Sequence, residues 1–165
     1  MNETNEQRFE RIRRDFGPAL YRVVKSYARP GADQEDLAQE VSIALWRALP
    51  SFREECSERT FVYRIAHNRG LNHLFRRKTV ESDPPDVADA RPNPESEAAS
   101  RERIEQLFAG IRTLPVGHRQ VLTLALEEIP HSEIATILGI SVENVAVRLG
   151  RARAALRVEM TKEQS

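Results

Sequence analysis

Cysteine, tryptophan and long apolar runs are what this sequence has least of: among 165 residues one is cysteine, one is tryptophan, and only 6% are aromatic. A lone Cys56 can close no internal disulfide and nucleates no cysteine-rich zinc site, which fits a chain kept in a reducing cytoplasm. No apolar stretch approaches the roughly 18 residues that a spanning helix needs, so membrane insertion is not expected. Met1 to Arg14 lacks the positive start followed by an apolar run that marks an export signal, and none is expected. Local catalytic patterns are missing as well: there is no glycine-rich phosphate loop, no nucleophile elbow and no plausible triad. Carboxylate pairs such as Glu127-Glu128 have no neighbour to tune them, and His67 and His73, six residues apart, have no companion ligands. The expectation is a non-enzyme with no cofactor and no metal.

Net charge is also lacking, since 25 basic residues balance 25 acidic ones. The balance hides an uneven distribution. Residues 1–79 carry 15 basic and 11 acidic groups, residues 80–100 carry 1 and 6, and residues 101–165 carry 9 and 8. Two mildly basic ends flank an acidic middle, and that middle, Thr79 to Ser100, holds four of the nine prolines with almost no large apolar residue. It reads as a flexible acidic linker that packs no core of its own, stiffer than a Gly/Ser tether. The flanking segments repeat their apolar residues at three and four, not two, so the fold class expected is all-α. Two small helical domains, 1–79 and 101–165, are joined by the linker at 80–100.

In the first domain, Phe9, Ile12, Phe16, Leu20, Val23, Val24 and Tyr27 trace an amphipathic helix that Gly17-Pro18 is expected to bend or break. Asp33 is expected to cap a second helix running to Leu49, whose outer face, with Asp33, Asp36, Gln39 and Glu40, is acidic. After a loop at Ser51 to Glu58, a third helix spans about Arg59 to Arg77, with Gly70 expected to loosen its middle. No acidic residue occurs from Thr60 to Val80. There Arg64, Arg69, Arg76, Arg77 and Lys78 alternate with His67, Asn68, Asn72, His73, Phe61, Tyr63 and Phe75, the mixture of cations, amides and rings that holds single-stranded nucleic acid.

The second domain carries HSEIATILGISVENVAVRLGRARAALR, residues 131 to 157. Ile134, Ala135 and Leu138 share a face of one helix, Gly139 ends it in a left-handed turn, and Ser141 caps the next. That is a helix-turn-helix. Val145 and Leu149 point inward, while Glu143, Asn144, Ala146, Val147 and Arg148 face out near the N-terminal end, where a recognition helix meets base edges. Arg151, Arg153 and Arg157 follow as a row suited to phosphates.

Taken in order, these segments resemble the extracytoplasmic-function (ECF) sigma factors of bacterial RNA polymerase. DQEDLAQEVSIALWRALPSF, residues 33 to 52, is similar to the family's core-polymerase-binding segment, and FVYRIAHNRGLNHLFRRK, residues 61 to 78, to its promoter-melting segment. LPVGHRQVLTLALEEIPHSEIATILGISVENVAVRLGRARAAL, residues 114 to 156, is similar to the domain that reads the minus-thirty-five element. The resemblance implies docking of Asp33, Asp36, Gln39 and Glu40 on core RNA polymerase. It implies capture of the melted minus-ten strand by Phe61, Tyr63, Arg64, His67, Asn68, Arg69, Asn72, Arg76 and Arg77, with a flipped base held by Asn68 and the Ser51 to Glu58 loop. It implies upstream promoter DNA on Glu143, Asn144, Ala146, Val147, Arg148, Arg151 and Arg153, and an anti-sigma factor as a further partner. Departures from the family pattern are Ser42, Phe61 and Pro130, and Ala146 and Val147 where lysine and serine are frequent, which implies one phosphate contact fewer and an unusual upstream preference. The competing reading is a stand-alone helix-turn-helix regulator, which would dimerise on a palindrome; it leaves the acidic face and the ring-rich basic helix without a purpose.

Overall fold

A computed structural model describes residues 2–80 and 96–165, and among them every regular element is a helix. Seven α-helices follow one another: α1 (Asn5–Tyr27), α2 (Ala32–Ala48), α3 (Glu58–Val80), α4 (Ser96–Thr113), α5 (Val116–Leu126), α6 (His131–Leu138) and α7 (Val142–Lys162), with a 3-10 turn at Leu49–Ser51. Helices α1 to α3 form a first module and α4 to α7 a second. The expected linker at 80–100 lies largely outside the described residues; its last five positions, 96–100, are helical and open α4.

Helix α1 begins with a reciprocal cap, in which Gln7 N donates to Thr4 Oγ1 at 3.2 Å and Thr4 N donates to Gln7 Oε1 at 3.0 Å. It does not break at Gly17-Pro18. An interior proline costs about 3 kcal/mol, but burial of Ile12, Leu20, Val23, Val24 and Tyr27 along one stripe outweighs that cost. The cap position of helix α2 is Gly31 and not Asp33, which is the second residue of the helix and accepts Arg29 N at 2.8 Å.

Helix α3 is likewise continuous through Gly70, and the reason is packing. A Cβ at Gly70 would lie 2.4 Å from Tyr27 Cδ2, so the bare backbone is the seat of the buried Tyr27 ring. Ser57 starts this helix, accepting Thr60 N at 3.0 Å.

The second module closes as its sequence pattern predicts. Gly139 takes the left-handed conformation (φ 68°, ψ 36°), Ser141 Oγ accepts Asn144 N at 3.1 Å, and Ile134, Val145, Leu149 and Ala152 are buried.

The modules also pack on each other, through α1 against α4 and α5 and through α3 against α6. Arg112 Nη1 donates to Lys25 O at 2.8 Å at the end of α1, and Lys25 Nζ meets Glu105 at 2.8 Å. Arg22 pairs with Glu127, and Arg59 with Glu133. Both arginines are nearly half exposed (47% and 45%), and pairs of that kind are worth about 0–1 kcal/mol, whereas the buried apolar side chains of the two modules belong to one continuous core.

Candidate nucleic-acid and polymerase interfaces

At about 100° per residue, Phe61, Arg64, Asn68, Asn72 and Phe75 fall within an arc of roughly 80° on α3. Arg64, Asn68, Asn72 and Phe75 are exposed and Phe61 is half-buried. Arg69 and Arg76 flank the strip on the side of α2, where Arg76 Nη2 reaches Glu40 at 2.5 Å. Arg77 turns inward, and its Nη1 lies 3.2 Å from Asp33 Oδ2.

Besides Arg77, two residues expected on this strip are not on it. Tyr63 and His67 are 3% and 2% exposed, and they pack on the opposite side of α3 against α1. Tyr27 Oη lies 2.6 Å from His67 Nδ1. Burial of the imidazole holds its pKa at about 3, so the ring is neutral, and burial pushes the Tyr63 phenol up to about 12. Neither side chain presents a surface to DNA. A signal was available: Ala66 and Gly70 share the face of Tyr63 and His67, and small residues at that spacing mark a close-packed seam.

The Ser51 to Glu58 loop is fastened by α1. Arg11 bridges Glu3 and Glu58, and Arg8 Nε meets Glu58 at 3.0 Å while its guanidinium lies 4.8 Å from the centre of the Phe52 ring. These arginines hold the Glu58 carboxyl below its ordinary range. Phe52 in turn stacks on Phe61 with ring centres 4.3 Å apart. Ser51, Phe52, Cys56 and Phe61 form one wall of an open cavity of about 390 Å³, and Arg64 with Thr136 of α6 forms the other. Arg64 Nη2 donates to Thr136 O at 2.7 Å, so the second module contributes to the rim. Arg59 and Thr136 were not legible as site residues in the sequence, because their roles depend on contacts between distant segments.

On α2, Asp36 and Gln39 are exposed and Glu40 is half-buried beside Arg76. Asp33 is engaged within the module. Its carboxylate meets His73 Nε2 at 2.8 Å besides Arg77 and the Arg29 amide, which ties the start of α2 to the second half of α3. The exposed polar face of α2 therefore includes Glu35, Asp36 and Gln39 but not Asp33.

On α7, Glu143, Asn144, Ala146 and Val147 are exposed near the N-terminal end, as are Arg151, Arg153 and Arg157 farther along. Arg148 is half-buried and leans over α5, its Nη1 placed where a Cβ on Gly117 would approach to 3.0 Å. Among the described residues no cluster of three or more His, Cys, Asp or Glu could hold a metal, and no helix is long and apolar enough to cross a membrane.

Residues 12–80 match the family model of sigma-70 region 2, and residues 104–156 that of sigma-70 region 4. The chain is 30% identical to the RNA polymerase sigma factor CnrH of Cupriavidus metallidurans, over 92% of this chain and 86% of that one. It is 35% identical to the ECF RNA polymerase sigma-E factor of Escherichia coli, over 77% and 73% of the respective chains. Its structure is similar to CnrH in complex with the cytosolic domain of CnrY, with TM-score 0.70 and 26% identity over 95% of this chain and 90% of that one. The same fold is found in RpoE from Bartonella quintana, crystallised with the anti-sigma factor NepR, at TM-score 0.74 and 17% identity over 94% and 98%. The chain belongs to the ECF group of the sigma-70 family, the non-catalytic subunits that bind core RNA polymerase and direct initiation at promoters.

Proposed function

We propose a division of labour in which residues 1–79 hold core polymerase and the melted strand, residues 101–165 read upstream duplex, and residues 80–100 link the two. The observation that carries this reading is the exposed, acid-free strip of α3, where an amide at Asn68 stands between guanidinium groups and rings. An amide can pair with a base edge once that base has left the stack, while cations beside it hold the strand's phosphates. Arg64, Asn68, Arg69, Asn72 and Arg76 then form the capture surface for the downstream element, with Phe61 and the Ser51 to Glu58 loop walling a base-sized cavity and Arg77 acting from behind. Tyr63 and His67 have no part in it.

Upstream DNA is assigned to the N-terminal end of α7, with Glu143, Asn144, Ala146 and Val147 toward the bases and Arg148, Arg151 and Arg153 toward the backbone. Core polymerase is assigned to Asp36, Gln39 and Glu40, with Asp33 shaping that face from within. Two solved relatives were captured with the cytosolic domain of CnrY and with the anti-sigma factor NepR, and we extend a partner of that class, and a cytoplasmic location, to this chain.

The test uses core polymerase directly. Reversing charge at Asp36 and Glu40 together should cut pull-down of core polymerase and run-off transcription while leaving helicity intact. Pull-down equal to wild type would remove this face from the docking surface.

A further inference from the structure

Between Phe52 and Ser57 the loop has little of its own to set its shape. Among the described residues no backbone group of residues 53–56 takes part in a backbone-to-backbone hydrogen bond, and Glu54 stands in the left-handed region (φ 57°) without being glycine. A residue with a side chain is held in that region by its surroundings. Here the surroundings are helix α1. Arg8 Nη2 donates to Glu54 Oε1 at 3.3 Å, and Arg8 Nε donates to Glu58 Oε2 at 3.0 Å, where the loop meets α3. Arg11 grips the same Glu58 with two nitrogens, at 2.6 Å and 3.0 Å, and is itself forked by Glu3 at 2.8 Å and 3.0 Å. The side chains of Arg8 and Glu58 are 20% and 21% exposed, against 47% and 45% for the arginines paired between the modules. A multidentate network with that shelter keeps its geometry better than an isolated surface pair.

What Arg8 holds is a wall of the cavity. Its guanidinium carbon lies 4.8 Å from the centre of the Phe52 ring, a cation over an aromatic face, and Phe52 in turn packs on Phe61. One guanidinium thus touches the middle of the loop at Glu54, its end at Glu58 and the ring that lines the cavity. We propose that Arg8, with Arg11 behind it, is a positioning residue for promoter recognition: it fixes Phe52 and the Ser51 to Glu58 loop at the width that fits one base. Base discrimination in the downstream element then depends on a side chain of α1 that does not itself touch the strand. The inference rests on the assignment of the loop cavity to a flipped base. A network that only stabilised the fold would leave selectivity as it is. A slack pocket loses selectivity, since a binding site discriminates only while its groups are held to within about 0.5 Å.

The experiment uses the holoenzyme on templates pre-melted at the downstream element, with one non-template base varied at a time and every variant assayed below its melting transition. The readout is the ratio of complex lifetimes between the best and the worst base at the discriminating position. Arg8→Ala should lower that ratio at least about 5-fold, the lower end of what one base contact contributes to discrimination, with pull-down of core polymerase as in wild type. The slope of log lifetime against log salt should stay the same, because no phosphate contact is removed. Arg8→Lys, a milder change that keeps the charge and loses the planar fork, should lower the ratio as well. Phe52→Ala should lower it too, and adding Arg8→Ala to Phe52→Ala should cost little more, because Arg8 acts through that ring. Arg14→Ala, which removes an exposed arginine of the same helix outside this network, should match wild type. A wild-type ratio in Arg8→Ala or Arg8→Lys would overturn the proposal. Additive losses, or a salt slope lowered by about one, would make Arg8 a direct strand contact and overturn it equally. Asn68→Ala, run in parallel, keeps the two readings apart. A ratio lost there and kept in Arg8→Ala leaves strand capture standing without α1, whereas a wild type that discriminates no base removes both.

Discussion

His67 and Asn68 are neighbours in the chain with opposite surroundings, and a rotation of about 100° per residue is the whole cause. Asn68 faces solvent, whereas His67 is sealed between α1 and α3 with its proton affinity depressed to about pH 3. The unfolded chain takes up that proton near the ordinary value of 6.5. His67 therefore contributes stability that is complete above pH 6.5 and is lost as pH falls toward 3, by at most about 1.4 kcal/mol per pH unit. Thermal melts should show a falling midpoint from pH 6.5 to 5, above the range where carboxylates titrate. His67→Leu should flatten that slope, whatever it does to the midpoint at neutral pH; an unchanged slope would mean that another group carries it. Gly70 offers a second residue-scale test. Gly70→Ala gains about 1 kcal/mol of helix propensity, yet the new methyl collides with the Tyr27 ring, and overpacking of that kind costs roughly 1–3 kcal/mol or more. Denaturant titration should show net destabilisation, and a stabilised variant would show that the ring can move aside.

Among the elements, α7 is the one most fully legible in the sequence. The glycine stop, the serine cap and the inward Val145 and Leu149 are local signals, and the structure reproduces each of them. Its DNA face makes a separate prediction. Arg153→Ala should weaken binding to all upstream sequences alike and lower the slope of log affinity against log salt by about one. A shift of preference at one base pair with the slope unchanged would assign Arg153 to base reading. Helix α3 was harder to read. Its rings and cations are interleaved in a way that suggests one continuous strip, and only the small Ala66 and Gly70 hint that Tyr63 and His67 belong to the seam with α1. Helix α1 misled in the other direction, because Gly17-Pro18 is a local breaking signal that the buried stripe on either side overrides. Asp33 likewise has the composition of a cap, and its role is fixed instead by His73 and Arg77, about forty residues away in sequence.

For the whole molecule, the informative contact is between modules, which the sequence could not specify because it joins segments far apart. Helix α6 rests on α3, where Glu133 pairs with Arg59 and the Thr136 carbonyl accepts from Arg64. Since the partly exposed ion pairs at this boundary contribute little and the buried apolar side chains of the two modules belong to one continuous core, salt should not separate the modules. At 1 M salt the screening length is about 3 Å, and small-angle scattering should give the same radius of gyration as at 0.1 M; expansion would mean that the ion pairs hold the halves together. Arg64 gives one of its five guanidinium donors to the Thr136 carbonyl and remains exposed, so the same side chain can still meet a phosphate. The weight of the functional reading falls on the α3 strip itself, and base discrimination by Asn68 tests it most directly. The holoenzyme should be assayed for open-complex lifetime on pre-melted templates that differ in one non-template base at a time. Wild type should discriminate among bases at one position, and Asn68→Ala should lose that discrimination while melting is no longer required. An Asn68→Ala holoenzyme that distinguishes those bases as sharply as wild type would contradict the assignment of α3 to strand capture.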